Sequence, residues 1–599
     1  MSGPSTSPAR RPPGAKSPPY KSWGADPLGD GRWRFRLWAP DANAVSVRLR
    51  AERKALDRES EGWWSTRAAA KAGESYRFIV DGTAYPDPAA RVQEDGVHGA
   101  SLLVDPEVFE WRSPWVGRPW HEAVIYELHL GTFTKEGTFA AATEALARLR
   151  DLGVTMVELM PVALFEGQRG WGYDDVLPYA PHHAYGSPDE FRRFVDAAHA
   201  LGMGVLLDVV YNHLGPSGNY LSVWCPSFFH GDRRSPWGQG IAYETGAVRD
   251  YFLENALYWL SEYRLDGLRL DAVHAIEDTS AVHFLEELGE RVRALDWGRP
   301  IHLVTEDERN LARHLGRGEA FDATWNDDWH HAVHCLLTGE DEAYYAPFAA
   351  DPLADIEVAL RDGYVEQGQP RAASRILRGE PSAALPRTAF VNFLGNHDQV
   401  GNRAQGERLH HLVTDRTALR VVTALTVLSP FVPMIFMGDE FLTDAPFLFF
   451  ADFKGDLAEA VRKGRAEEFA QFEAFDGDVP DPIAPETFNA CKIGKPERVE
   501  QRDHERFVRE LLSIRRTYIV PLLEVTRNPQ VSVRREGSLI EAIWDFGNAA
   551  LSLRARLPSK AAPAARSADE DTFTPHDDPL VVVTGKGSAF AFSAAIHRD

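Results

Sequence analysis

Four short apolar segments of the sequence contain or end in side chains capable of acid–base or nucleophilic chemistry. The segments are MGVLLDVVYNH (203–213) with Asp208, Asn212 and His213, DGLRLDAV (266–273) with Arg269 and Asp271, IHLVTE (301–306) with Glu306, and TAFVNFLGNHD (388–398) with His397 and Asp398. Any one of these acids is more readily explained as a helix cap or a surface group. Four such segments in one chain favour a catalytic site, provided that the fold brings their ends together.

Arg269 and Asp271 lie two residues apart among apolar neighbours. Side chains of a strand alternate faces, so Arg269 and Asp271 share one face, and Leu268 and Leu270 share the other. Burying an ion pair costs desolvation free energy. One interpretation is a structural salt bridge at the end of a strand, and the other is a catalytic carboxylate kept ionised by its arginine.

Paired carboxylates are the groups that cleave glycosidic bonds, one as nucleophile and one as acid. The nucleophile needs a lowered pKa and the acid a raised one. Arg269 would keep Asp271 ionised, whereas Glu306 directly follows the apolar IHLV, where desolvation would favour its neutral form. These residues therefore indicate a nucleophile and an acid more than a structural bridge.

The four segments belong to a regular alternation of predicted strands and helices. Eight strands are predicted at 124–133, 154–160, 203–213, 266–273, 301–306, 321–326, 388–398 and 432–440, and helices at 138–153, 189–202, 248–263, 281–295 and 415–429. Strands separated by helices imply parallel βαβ units, and eight of them predict an α/β fold, a (β/α)8 TIM barrel with insertions. An open doubly wound sheet is the alternative, but neither GxGxxG nor a P-loop is present.

Sequence composition divides the chain into four parts. We expect a disordered tail over 1–21, an N-terminal β-sandwich domain over 22–106, the catalytic barrel over 107–522 and a C-terminal β domain over 523–599. The sandwich is predicted from alternating segments at 33–48 and 75–82, and the terminal domain from strands within 530–546 and 578–594.

The bulk composition limits the possible partners and compartments. The chain has 599 residues and a net charge of −23, which argues against nucleic-acid and anionic-membrane partners. Its three widely spaced cysteines form no disulfide framework and no metal-ligand pattern. The N-terminus has no apolar signal-peptide core and no segment could span a bilayer. We expect a cytoplasmic protein, and its 65 aromatic residues suit carbohydrate binding as well as core packing.

The strand-end motifs resemble those of the α-amylase family of glycoside hydrolases and transglycosidases. The resemblance covers about residues 120–520 and rests on four motifs: DVVYNH (208–213), GLRLDAVH (267–274), LVTED (303–307) and FLGNHD (393–398). A fifth motif, GWGYDD (170–175), resembles the loop that carries a tyrosine stacking on the donor sugar. The N-terminal sandwich is similar to the module that precedes the barrel in branching, debranching and trehalose-releasing members.

The resemblance implies roles residue by residue. Asp271 corresponds to the nucleophile, Glu306 to the general acid and Asp398 to the acid that stabilises the transition state. The donor-sugar residues it implies are Tyr173, Asp208, His213, Arg269 and His397. Because Asp307 and Glu308 are also acidic, the assignment of the general acid is open among these neighbours.

Further motifs resemble the trehalose-releasing subfamily: PDPAARVQEDGVHGAS (86–101), ELHLGTFT (127–134), NHDQVGNR (396–403) and DPIAPETF (481–488). The resemblance implies hydrolysis of the α-1,4 bond next to the terminal trehalose of a maltooligosyltrehalose. Glycogen branching enzyme, which shares WGY…YAP…YG (171–186), and a non-catalytic glycan-binding protein are the alternatives.

On the acceptor side, the candidate residues are His274, Asp307 and Trp325. We expect no cofactor and no metal, since HExxH and CxxC spacings are absent. Some amylases hold calcium through the residue that corresponds to Asn212, but here Asn212 is expected to hydrogen-bond loops at the barrel mouth.

Overall fold

The structure is a computed structural model that describes residues 21–235, 238–316, 318–371, 377–469, 479–558 and 573–598. Of the predicted tail over 1–21, residues 1–20 lie outside the described residues. Lys21 is described and buried, and its ammonium group donates a hydrogen bond to the carbonyl oxygen of Ala89 at 3.1 Å.

The N-terminal part is the predicted β-sandwich. One sheet has the strand order β1-β2-β6-β5, and the other has β4-β3-β7-β8 with β9 added against β7. The strands on either side of the PDAN turn, β2 and β3, lie in different sheets. The strands are β1 Gly24–Pro27, β2 Arg32–Trp38, β3 Val45–Leu49, β4 Glu52–Ala55, β5 Asp57–Arg58, β6 Trp63–Ala69, β7 Ser75–Val80, β8 Thr83–Tyr85 and β9 Ser101–Leu102.

The sandwich is joined to the rest of the chain by polar contacts as well as by apolar packing. Trp23 donates from its indole nitrogen to Ala247 at 2.9 Å. Arg91 donates to Glu262 at 2.5 Å and to Asp26 at 2.9 Å, and it is buried. A buried arginine with two carboxylate partners satisfies its charge at this junction.

The middle of the chain forms a closed barrel of eight parallel strands, as predicted. Its strands follow one another around the barrel in chain order: β10 Ile125–Leu128, β11 Met156–Leu159, β14 Gly204–Val209, β17 Gly267–Leu270, β18 His302–Thr305, β19 Ala323–Trp325, β20 Phe390–Phe393 and β21 Val432–Phe436. Two short hairpins in the loops are formed by β12 Ala163–Leu164 with β13 Leu177–Pro181 and β15 Phe229–Ser235 with β16 Gly238–Ile241.

Helices connect the barrel strands, and α2, over Phe139–Leu152, has the caps that its sequence predicts. In α2, Thr138 accepts a hydrogen bond from the Ala141 N–H, and Gly153 ends the helix at φ 116°. The helices are α1 Leu130–Phe133, α2 Phe139–Leu152, α3 Pro188–Ala200, α4 Leu221–Trp224, α5 Gly246–Glu262, α6 Phe284–Arg293, α7 Asp327–Thr338, α8 Pro352–Asp362, α9 His397–Gly401, α10 Leu409–Leu412, α11 Arg416–Leu428, α12 Gly455–Phe469, α13 Pro485–Ala490, α14 Val499–Ile514 and α15 Val520–Val525.

A C-terminal sheet completes the fold. Its strands, in the order β22-β23-β24-β26-β25, are β22 Gln530–Glu536, β23 Leu539–Asp545, β24 Ala549–Arg556, β25 Val581–Val583 and β26 Ala591–Arg598. Barrel helix α11 packs against this sheet. In the described part of the chain, no helix is both long and apolar enough to cross a membrane.

The lower interior of the barrel is filled by an apolar cluster. Its members include Ile125, Met156, Leu206, Val304 and Phe393, contributed by five different strands. Side chains two residues further along a strand point to the same face, so the next interior layer lies towards the carboxyl ends. That layer is polar, and it supports the candidate site.

Candidate active site

The four predicted polar segments do meet at the carboxyl-terminal mouth of the barrel. Asp208 and Arg269 are register partners on β14 and β17. Glu306 follows β18 directly, and Asp398 lies in α9, just after β20. Because all barrel strands are parallel, their carboxyl ends share one face, which is where TIM barrels carry their chemistry.

Arg269 is the centre of the site and is fully buried. Its Nη1 lies 2.6 Å from Asp208 Oδ2 and 3.0 Å from Asp271 Oδ1, and its Nη2 lies 2.8 Å from Glu306 Oε2. One planar guanidinium therefore fixes three carboxylates relative to one another. Burial and the nearby Asp271 charge outweigh Arg269 and raise the pKa of Asp208 to about 7.

Asp271 is also held by Asn212. The Asn212 amide donates to Asp271 Oδ2 at 2.8 Å and to the Asp271 carbonyl oxygen at 3.0 Å. The next residue, Ala272, has φ 41° and ψ 50°, a left-handed conformation that is strained for a non-glycine residue. The sequence predicts that Asn212 hydrogen-bonds loops at the mouth, and in the structure it bonds Asp271 itself.

The surroundings of Glu306 differ from the apolar setting predicted from IHLV. Glu306 Oε2 accepts a hydrogen bond from the backbone N–H of Ala272 at 2.8 Å and forms an ion pair with Arg269 Nη2. Its side chain is 20% exposed, so it reaches the mouth of the barrel. The strained turn after Asp271 thus provides a donor to the second carboxylate.

A partly exposed tyrosine forms the other wall of the mouth. The Tyr173 hydroxyl donates to Asp208 Oδ2 at 2.6 Å, and it lies 2.8 Å from His397 Nε2. His213 donates from Nε2 to the Tyr173 carbonyl oxygen at 2.9 Å and also bonds the Asn212 side chain. The predicted donor-sugar residues therefore form one connected group around Arg269.

His397 and Asp398 begin helix α9, whose first turn is capped by Asn396. His397 Nε2 lies 3.3 Å from Asp398 Oδ2. The Asp398 side chain is 35% exposed at the floor of the mouth. Burial among surrounding atoms, helped by the Glu306 charge and opposed by His397, raises the pKa of Asp398 above its ordinary value.

The three acceptor-side candidates have different environments. Trp325 is buried, with its ring beneath the Arg269 guanidinium. Asp307 accepts hydrogen bonds from Arg309 at 2.7 and 2.8 Å, and its side chain is mostly buried. His274 is partly open, with Nε2 3.6 Å from Glu308 Oε1.

A carboxylate at the end of the sixth barrel strand, Asp327, is not among the residues predicted from the sequence. Asp327 is the first residue of α7 and accepts a hydrogen bond from Gln399 Nε2 at 3.0 Å. Burial and the Glu306 and Asp398 charges raise the pKa of Asp327 to about 7. Strand β19 lies between β18 and β20, so Asp327 lies at the mouth between the strands that position Glu306 and Asp398.

Two buried glutamates, Glu127 and Glu158, were also missed. They lie inside strands β10 and β11 as register partners, beneath the residues of the mouth. A charged residue within an apolar strand was the signal that could have found them. The same signal identified Arg269 in β17.

The described residues contain neither a candidate metal-binding cluster nor a disulfide bond. They contain no group of three or more His, Cys, Asp or Glu side chains that could hold a metal ion. Cys225, Cys335 and Cys491 are buried free thiols.

Comparison with known proteins relates this geometry to a family. A family model described as alpha amylase, catalytic domain, matches residues 85–223, and carbohydrate-binding module 48 (isoamylase N-terminal domain) matches residues 22–106. The malto-oligosyltrehalose trehalohydrolase of Deinococcus radiodurans is 42% identical over 87% of this chain and 87% of its own length. The crystal structure of a Salmonella typhimurium protein, provisionally named an α-amylase, is 44% identical with a TM-score of 0.90, covering 96% of this chain and 100% of that one.

A branching enzyme matches less of the chain. The 1,4-alpha-glucan branching enzyme GlgB of Burkholderia thailandensis is 31% identical over 52% of this chain and 44% of its own length.

The closed barrel with carboxylates around Arg269 defines a glycoside hydrolase of the α-amylase class. Within that class, sequence identity to malto-oligosyltrehalose trehalohydrolases extends over most of the chain. The chain belongs to the malto-oligosyltrehalose trehalohydrolase family.

Proposed function

We propose that the protein hydrolyses the α-1,4-glucosidic bond next to the terminal trehalose of a maltooligosyltrehalose, with retention of configuration, and releases free trehalose. The observation that carries the mechanism is Arg269, which bonds both Asp271 and Glu306 at the barrel mouth. Membership of the family supports the choice of substrate.

In the first step, Asp271 is the nucleophile and Glu306 the general acid. A carboxylate oxygen of Asp271 forms a bond to the anomeric carbon while the bond from that carbon to the glycosidic oxygen breaks. The electron pair of the broken bond stays on the glycosidic oxygen, which takes the proton of Glu306. Arg269 and Asn212 both donate to Asp271 and aim its carboxylate.

In the second step, Glu306 removes a proton from water as the water oxygen displaces Asp271 from the anomeric carbon. Two inversions give net retention. Retaining enzymes place their carboxyl groups roughly 5–5.5 Å apart. Bonding of Asp271 and Glu306 to two nitrogens of one guanidinium supports such a short separation.

The donor sugar is proposed to lie against Tyr173, whose ring is partly exposed at the mouth. A pyranose presents C–H groups that pack well on an aromatic face. Asp398 is proposed to stabilise positive charge as the transition state forms. The polar groups proposed for the donor hydroxyls are Asp208, His213, Arg269 and His397.

The acceptor side is proposed to include His274, Asp327 and Glu306. Asp327 is supported by its position next to Glu306, the group that protonates the leaving sugar. Asp307 is proposed to shape this side through Arg309, and Trp325 through Arg269.

Product analysis tests the proposal directly. Purified protein is given maltotriosyltrehalose or maltopentaose, and the products are separated by anion-exchange chromatography. We expect trehalose from the first substrate and much slower cleavage of the second. New α-1,6 branch points on amylose without trehalose would instead show a branching enzyme, and no product at all would show a glycan-binding protein.

The domain boundaries and the location are also proposals. We propose folding units at 22–106, 107–522 and 523–599, which limited proteolysis with mass spectrometry tests. We propose a reducing, cytoplasmic location, supported by three buried free thiols and tested by cell fractionation.

A further inference from the structure

Two glutamates lie side by side inside the barrel beneath the site. Glu127 and Glu158 are register partners on β10 and β11, two residues beyond the apolar pair Ile125 and Met156. Both are buried to the same extent. Their partners differ, because Glu127 bonds His397, whereas neither oxygen of Glu158 has a hydrogen-bond partner among the described residues.

The hydrogen bonds of His397 define its protonation. His397 Nδ1 lies 2.5 Å from Glu127 Oε1, and the His397 backbone N–H donates to Glu127 Oε2 at 3.3 Å. His397 Nε2 lies 2.8 Å from the Tyr173 hydroxyl and 3.3 Å from Asp398 Oδ2. The Tyr173 hydrogen is used in the bond to Asp208, so the Tyr173 oxygen accepts from Nε2. A carboxylate also accepts at Nδ1, so both ring nitrogens carry hydrogen.

We propose that Glu127 is a positioning residue that keeps His397 doubly protonated and oriented beneath the donor sugar. Glu127 is 1% exposed and lies below His397, so it acts through His397 and touches no reacting atom. Through His397 it orients Tyr173, the proposed sugar platform, and Asp398, the proposed stabilising acid.

The charges around His397 support a cation. The titratable and charged groups that face it from the surrounding elements are Glu127, His129, Glu158, Tyr173, Arg269 and Asp398. Burial lowers the pKa of His397, but Asp398 and Glu127 outweigh burial and raise it to about 9. Burial and the adjacent Glu127 charge raise the pKa of Glu158 well above its ordinary value.

Two isosteric substitutions separate a charge effect from a packing effect. Glu127→Gln removes the carboxylate that hydrogen-bonds His397. Glu158→Gln makes the same change in the same interior layer, at a carboxyl group with no hydrogen-bond partner among the described residues. The assay measures kcat/KM for an aryl α-maltooside from pH 5 to 10. Circular dichroism and thermal melting verify that each variant folds.

An aryl leaving group of low pKa departs with little help from the general acid Glu306, so the alkaline limb on this substrate reports His397. The parent enzyme should lose activity as His397 deprotonates, with that limb near pH 9. For Glu127→Gln we expect that limb to move down by about one pH unit and kcat/KM at pH 10 to fall about tenfold. Glu127→Asp should restore part of the shift because it keeps the charge. Glu158→Gln should leave the limb in place.

An unchanged alkaline limb in Glu127→Gln would overturn the proposal. An equal shift in Glu158→Gln would also overturn it, because the effect would then come from packing in the layer. The inference rests on the proposed glycosidase function. The aryl substrate reports bond cleavage whatever sugar is the natural leaving group. A protein that releases no trehalose would therefore refute the proposed function without deciding the role of Glu127, which the aryl assay tests separately.

Discussion

The guanidinium carbon of Arg269 lies 4.0 Å from the centroid of the Trp325 ring. Both side chains are buried, and they come from strands that are not neighbours in the barrel, β17 and β19. The indole face stabilises the guanidinium cation, and the guanidinium nitrogens form ion pairs with three carboxylates. Trp325 therefore fixes the height and plane of the group that aligns Asp271 and Glu306.

We predict that Arg269→Lys lowers kcat/KM about a hundredfold or more. A lysine keeps the charge, but it cannot present two nitrogens in one plane to Asp271 and Glu306 or stack on Trp325 in the same way. Steady-state kinetics on maltotriosyltrehalose measure the effect. The matched control is Arg416→Lys, a half-exposed arginine paired with Glu500, which should leave kcat/KM unchanged. Less than a tenfold loss in Arg269→Lys would contradict the central role of Arg269.

We predict that the first-formed reducing sugar is the α anomer. Asp271 as nucleophile requires a covalent intermediate, and two displacements restore the configuration. Proton NMR within the first minutes of hydrolysis, before mutarotation, separates the anomers. An initial β anomer would mean direct attack by water and would remove the nucleophilic role of Asp271. Asp271→Ala, which should abolish turnover while substrate binding persists, is the control for contaminating activity.

Much of the fold could be predicted because each local signal agreed with the others. Apolar strands alternated with amphipathic helices, and Thr138 and Gly153 marked the ends of α2, which the structure confirms. The predicted polar segments meet because the carboxyl ends of all the parallel strands in a closed barrel lie at the same mouth. Polar residues after apolar strands could thus be grouped without knowledge of the structure.

The remainder of the site depends on tertiary geometry. Glu127 and Glu158 lie inside strands, where a carboxylate is stable only if a neighbouring strand provides a partner or if the group is neutral. Asp327 follows the weakest predicted strand, and its importance comes from the neighbouring strand ends of Glu306 and Asp398. The stacking of Trp325 on Arg269 depends on strand tilt and stagger around the barrel, which sequence periodicity does not specify.

We predict that His504→Leu changes the pH dependence of stability by one proton. Burial lowers the pKa of His504 to about 3. Below about pH 6.5 the unfolded chain binds a proton at this residue and the native protein does not. The parent therefore loses stability relative to the variant as pH falls, by about 1.4 kcal/mol per pH unit from pH 6 to pH 4. Denaturant unfolding of both proteins measures this difference, and parallel stability curves would contradict it.

The last prediction concerns the leaving sugar. Asp327 is partly exposed at the mouth next to Glu306, and Gln399 bonds its Oδ1. Among the described residues, the side-chain hydrogen bond found for Asp327 goes to Oδ1, so we expect Oδ2 to accept a hydroxyl of the acceptor sugar. Asp327→Asn should lower kcat/KM for maltotriosyltrehalose about ten- to hundredfold, the loss of one charge-assisted hydrogen bond. An aryl α-maltooside presents no sugar there and should be cleaved by Asp327→Asn at nearly the parent rate. Asp503→Asn, a surface change on α14, serves as the matched control. Equal losses on both substrates would place the effect of Asp327 on the catalytic carboxylates, and no loss on either would remove Asp327 from the acceptor side.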